Sequence, residues 1–194
     1  MQIHSFETLV QFIHDKAYQK QQFVIAISGF GGAGKTTLTN KIAETLKDTQ
    51  IIHLDDFIID QLSTRSSHWD GFDWERLQNE ILIPLKKQSK EIEYGVYDWK
   101  QNKIVRKQTI QQSKYVIVEG VGLIRNQLAE YFDCTIWIDT PFETALERGK
   151  HRDEFEYGVD HNTLWNTLWG PNDKDYFEKY LPKKMADICF LEVK

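Results

Sequence analysis

The run Gly29-Phe30-Gly31-Gly32-Ala33-Gly34-Lys35-Thr36 matches the pattern G-x-x-x-x-G-K-[ST]. It follows a short apolar run, Phe23 to Ile27, and precedes a helical pattern with Leu38, Ile42 and Leu46 on one face. A strand, a glycine-rich loop and a helix in that order form a phosphate-binding loop. Its glycines let backbone N–H groups close around phosphate oxygens. The expected nucleotide contacts are Gly29, Gly31, Gly32, Ala33, Gly34, Lys35, Thr36 and Thr37. Lys35 places a positive charge on the outer phosphates, and the Thr36 hydroxyl is a Mg²⁺ ligand.

The same residues also spell G-x-G-x-x-G through Gly29, Gly31 and Gly34, with Asp55 about 20 residues on, as in a dinucleotide-binding fold. Lys35 and Thr36 decide against that reading: a triphosphate site with Mg²⁺ needs both and a dinucleotide site needs neither. His53-Leu54-Asp55-Asp56-Phe57 then puts carboxylates at the end of the next strand. A hydroxyl nucleophile needs a base or an orienting carboxylate, and either Asp55 or Asp56 supplies one.

The elements that must position these groups follow from pattern. Strands are expected at 23–27, 51–54, 115–118, 135–138 and 186–193, and helices after Ser5, over 35–46, over 74–87 ended or bent by Pro84, and from Pro141. Strands alternating with helices give a mainly parallel sheet covered on both faces, a three-layer α/β/α sandwich. Asp55, Glu119 and Asp139 fall at strand ends, where such sheets bind ligands. Alternating Ile92, Tyr94 and Val96, with Ile104 and Val105 beyond Lys100-Gln101-Asn102-Lys103, read as an inserted hairpin, about 88–112. The whole chain, 1–194, is expected to be one domain, with a lid at about 141–160 made mobile by Gly149 and Gly158.

Composition narrows the partners. Hydrophobic residues are 41% and charged residues 27%, as in a folded globular protein, and the net charge is −5. That sign argues against nucleic acid and anionic membranes as partners. No apolar run approaches the ~20 residues needed to span a bilayer. The N-terminus carries no pattern of a secretion signal. Cys134 and Cys189 sit in apolar stretches and read as buried thiols in a reducing compartment, so a cytoplasmic location is expected.

The chain resembles the uridine kinase-like P-loop small-molecule kinases, which include nicotinamide riboside, pantothenate and phosphoribulose kinases. The resemblance rests on Gly29 to Thr36, Asp55-Asp56-Phe57, Trp69-Asp70-Gly71-Phe72-Asp73-Trp74, Tyr97-Asp98-Trp99, Val118-Glu119-Gly120, Arg148 with Arg152-Asp153, and Pro182-Lys183-Lys184 leading to Ala186-Asp187. It implies Asp55 as the base, Glu119 near the metal, and Asp73 or Asp70 on a diol of the acceptor. Arg65 is a candidate for an anionic acceptor, and Tyr97 and Trp99 for stacking on a flat ring. Arg148 and Arg152, four apart on one helical face, would serve the transferred phosphoryl group together with Lys35. After Tyr97-Asp98 the chain departs from uridine kinases: Trp99 replaces a Phe and no His follows, Arg106 being the nearest basic residue. The implied activity is transfer of the ATP γ-phosphoryl group, with Mg²⁺, to a hydroxyl of a small metabolite, a ribonucleoside such as uridine first. Nicotinamide riboside, pantothenate or a sugar as acceptor, or a nucleotide-binding switch protein, are the alternatives. A homo-oligomer is left open.

Overall fold

The computed structural model describes residues 1–59 and 65–191. In chain order it holds β1 (Gln2–Ile3), α1 (Phe6–Ala17), β2 (Phe23–Ser28), α2 (Lys35–Leu46), β3 (Thr49–His53) and a 3₁₀ turn (Leu54–Phe57). Then come α3 (Trp74–Leu77), a π turn (Gln78–Leu82), α4 (Ile83–Lys86), β4 (Glu91–Asp98), β5 (Lys103–Gln111) and β6 (Tyr115–Glu119). The last third holds β7 (Cys134–Ile138), α5 (Phe142–Phe155), α6 (Asn162–Leu164), a π turn (Trp165–Trp169), α7 (Gly170–Tyr180), α8 (Pro182–Met185) and β8 (Ile188–Phe190).

Six strands form one sheet in the order β1-β8-β7-β2-β6-β3, every neighbouring pair parallel. All six residues of β2 and all five of β6 are buried. Side chains alternate across a strand, so burial of consecutive residues requires cover on both faces, which is why these strands are apolar without alternation. β4 and β5 form a separate antiparallel hairpin with a bulge between Val96 and Tyr97. The hairpin is anchored to the turn after β3. Tyr94 stacks on Phe57 at 5.6 Å, and Arg76, lying over Phe57, donates to the carbonyls of Gly95 and Asp56.

The structure adds detail to three expectations. Pro84 does not end its helix. The π turn ends with the Ile83 N–H donating to the Gln78 carbonyl, one residue before the proline, and this register shift lets the helix pass it. Of the strand expected over 186–193, the described residues form Ile188–Phe190, and 192 and 193 lie outside the described residues; Gln2–Ile3 adds an unexpected edge strand beside it. Gly149 is a packing position: a methyl group there would lie 2.5 Å from the Trp165 ring, which by itself accounts for glycine. Gly158, with φ +67 and open space around it, does need the freedom of glycine.

Candidate active site

The site gathers at the carboxyl ends of β2, β6 and β3. Register aligns Ile27 with Glu119 and Glu119 with His53, so the glycine loop after β2 opens beside both. Gly32 and Gly34 take φ values of +80 and +97, which only glycine adopts without strain. Among the described residues the amides of Gly32, Gly34, Lys35, Thr36 and Thr37 have no acceptor outside the helix, while Ala33 N–H turns back to Phe30. Open amides at the start of α2 make an anion site.

Lys35 Nζ lies folded onto the carbonyls of Gly29 and Phe30, at 3.3 and 3.0 Å. Burial lowers its pKa against the opposing pull of Glu119, Asp173 and Asp55. Thr36 Oγ1 donates to Glu119 Oε1 at 3.1 Å, and His53 Nδ1 meets the same oxygen at 2.7 Å. Burial acts to raise the Glu119 pKa, but His53, Lys35 and Thr36 outweigh it and hold the carboxyl below its usual range. The same contact raises the His53 pKa.

Asp55 and Asp56 diverge. Asp55 lies in the cleft, where solvent still reaches it, and its pKa is pushed up to about 6 by burial and by Glu119, against Lys35, His53 and Arg152. Asp56 faces the hairpin, feeling His53, Arg106, Arg76 and Tyr94. Only Asp55 shares the field of Lys35. Of the two arginines on α5, Arg152 acts on both Lys35 and Asp55. Arg148 is exposed and has no ion pair or hydrogen bond among the described residues.

The expected acceptor residues are engaged within the chain. Asp73 caps α3, its Oδ1 accepting from Arg76 N–H at 2.9 Å. Asp70 accepts from Ser66 Oγ at 2.6 Å, and Arg65 forks onto Asp175 at 2.9 and 3.0 Å. Tyr97 and Trp99 meet edge-on at 83° rather than presenting one flat face, because Trp99 lies past the end of β4. Asp139 is paired with Lys183 at 2.6 Å.

Three groups have no role in the motif reading, although Asp153 stands in its Arg152-Asp153 run. His53 is one; nothing in its neighbourhood of sequence ties it to Glu119. Asp153 is buried and collects Arg152, Trp165 Nε1 at 2.8 Å and His161 Nδ1 at 3.1 Å, which sets Arg152 beside the loop and the Trp165 ring over Gly31 and Gly149. Asp173 is buried with its Oδ2 accepting from Gly31 N–H at 2.7 Å. Burial pushes its carboxyl up to about 7, against Lys35, the Gly31 amide and the Trp69 indole.

An open amide loop, a lysine, two strand-end carboxylates and an arginine are the parts of a phosphotransferase site. The phosphoribulokinase/uridine kinase family model matches residues 24–193. The chain belongs to this family. As a member it is a phosphotransferase of the small-molecule kinase kind, with a P-loop kinase fold. It is 31% identical over 182 residues to a uridine kinase of Borrelia duttonii, covering 87% of this chain and 86% of that one. In fold it is similar to a possible uridine kinase of Bacillus stearothermophilus, with TM-score 0.71, 21% identity and coverage of 95% and 98%. A candidate fructose transport system kinase of Silicibacter sp. TM1040 gives TM-score 0.80, 20% identity and coverage of 96% and 99%. No helix among the described residues is long and apolar enough to cross a membrane.

Proposed function

We propose that the protein transfers the ATP γ-phosphoryl group to a hydroxyl of a ribonucleoside, uridine first. The observation that carries this reading is that Lys35 and Asp55 stand within each other's electrostatic reach at the mouth of the open loop: one charge for the outer phosphates and one carboxylate for the attacking hydroxyl. The 31% identity with a uridine kinase supports the choice of acceptor.

The loop amides and Lys35 hold the phosphates, Asp55 takes or orients the acceptor proton, and Arg152 adds positive charge where charge spreads in transfer. Asp56, turned to the hairpin, has no part in this. Thr36 and Glu119 offer oxygen ligands 3.1 Å apart, which suit Mg²⁺, an ion that keeps several waters and takes few protein ligands. When bound there, Mg²⁺ would neutralise phosphate charge. Asp73 and Asp70 each use one carboxylate oxygen within the chain and keep the other for an acceptor hydroxyl, whereas Arg65 would have to leave Asp175 to meet an anionic acceptor, and the exposed Trp99 edge beside Tyr97 is the candidate for a flat ring. Residues 141–160 belong to this reading as a lid that limits attack by water, and Arg148 joins the site only if the lid moves.

Lys35→Ala tests the assignment. Turnover and triphosphate affinity should both be lost, with the melting temperature kept, because the lysine's working partner is a ligand phosphate. Normal turnover in that variant would sink the reading.

A further inference from the structure

Two consecutive residues of α7, Asn172 and Asp173, are 3% and 2% exposed, and the transfer chemistry proposed above gives a role to neither. On a helix, successive side chains diverge by about 100°, so the pair reaches two different neighbours. Asn172 Oδ1 accepts from Ser66 N–H at 2.8 Å. Asp173 Oδ2 accepts from Gly31 N–H at 2.7 Å. Ser66 begins the segment that carries Asp70 and Asp73, and its hydroxyl holds Asp70. Gly31 lies in the phosphate loop, and the Asp173 charge acts on Lys35.

We propose that Asn172 and Asp173 are positioning residues that register the acceptor-binding segment against the phosphate loop. The proposal rests on the kinase reading and deepens it. Phosphoryl transfer needs the attacking oxygen in line with the leaving oxygen, and a misplacement of about 1 Å costs on the order of 10²-fold. Two separate stretches of chain must therefore be held in one frame, and α7 supplies it. The helix is itself fixed, with Tyr176 Oη donating to the buried Ile124 carbonyl at 2.7 Å, and Arg65 gripping Asp175 from outside. Buried polar side chains are costly unless they are paired, and an apolar pair of similar volume would fill the same space. What the polar pair adds is a fixed geometry between two backbone amides, one on each substrate's side.

The test is a ratio: acceptor-dependent formation of phosphorylated product against acceptor-independent ATP hydrolysis. Uridine is the first acceptor, then nicotinamide riboside and pantothenate. A misaligned acceptor loses transfer, whereas water reaches the in-line position by diffusion and does not depend on the acceptor-binding segment to place it. Asn172→Leu, which keeps the volume and lacks the acceptor oxygen, and Asp173→Ala should each lower the ratio about 10–100-fold. Asp173→Asn should restore most of it, since its amide oxygen still accepts from Gly31. A scaffold role would lower the melting temperature and leave the ratio as in wild type, and that result overturns the proposal. Should one variant fail to fold, the other carries the test. Wild-type protein that makes no product from any acceptor overturns the kinase reading, and this proposal with it. Wild-type product together with unchanged ratios overturns this proposal alone.

Discussion

Asp55 and Asp56 are adjacent in sequence and chemically identical, yet the fold gives them opposite surroundings. The 3₁₀ turn after β3 points one into the cleft with Lys35 and Glu119 and the other toward Tyr94 and Arg76. If Asp55 takes the acceptor proton it must be ionised to act. With its pKa raised to about 6, kcat/KM should climb as pH rises through about 6 and level off above it. Asp55→Asn should cost about 10²–10⁴ in rate and remove that acid limb. Asp56→Asn should cost far less and keep the limb. A larger loss at Asp56, or an unchanged profile at Asp55, would reverse the assignment; steady-state rates between pH 5 and 8 decide it.

At the level of elements, the chain handles two prolines by the same device. Pro84 and Pro171 each stand one residue beyond the capping residue of a π turn, whose last bonds run from Ile83 N–H to the Gln78 carbonyl and from Gly170 N–H to the Trp165 carbonyl. The second π turn also sets Trp165 over the glycine loop. There its ring fills the space that Gly31 and Gly149 leave by lacking side chains. Gly149→Ala should therefore destabilise by about 1–3 kcal/mol, as overpacking does, and should lower activity by pushing α5 and Arg152 off the loop. Thermal melting with parallel rate measurements checks this, and a variant that melts normally would mean α5 has room to move. These contacts were not legible in the sequence. The strands (β1 excepted), α2, the phosphate loop and the hairpin were, because each has a local signal: an apolar run, a 3.6-residue period, a glycine spacing, an alternation. The Asp153–Trp165–Gly149 contact and the Asp173–Gly31 bond join segments 12 to 142 residues apart and leave no periodic trace. Pro84 reads as ending or bending its helix: a breaker is visible in sequence, but the one-residue register shift that carries the helix past it is not.

For the molecule as a whole, the parallel sheet explains why the candidate site is where it is. β2 lies between β7 and β6, and β6 adjoins β3, so the loop after β2, Glu119, His53 and Asp55 all emerge at one edge. Motif reading found the residues on that edge because they lie beside strand ends. It was weaker for acceptor recognition: Asp73, Asp70 and Arg65 have the right chemistry, but their partners Arg76, Ser66 and Asp175 could not be inferred from spacing. The central claim is that this edge moves phosphate from ATP to a small hydroxyl acceptor. The most direct measurement is ADP and phosphorylated product formed from ATP and Mg²⁺ with and without added ribonucleosides, the product identified by mass. The account predicts ADP release that depends on an acceptor and matches a nucleoside monophosphate in amount, with uridine among the acceptors. It also predicts poor turnover of 2′-deoxy analogues, since a site built to pair a hydroxyl is left unpaired without it. ADP formed at the same rate whether or not any acceptor is present, with no phosphorylated product, would contradict it.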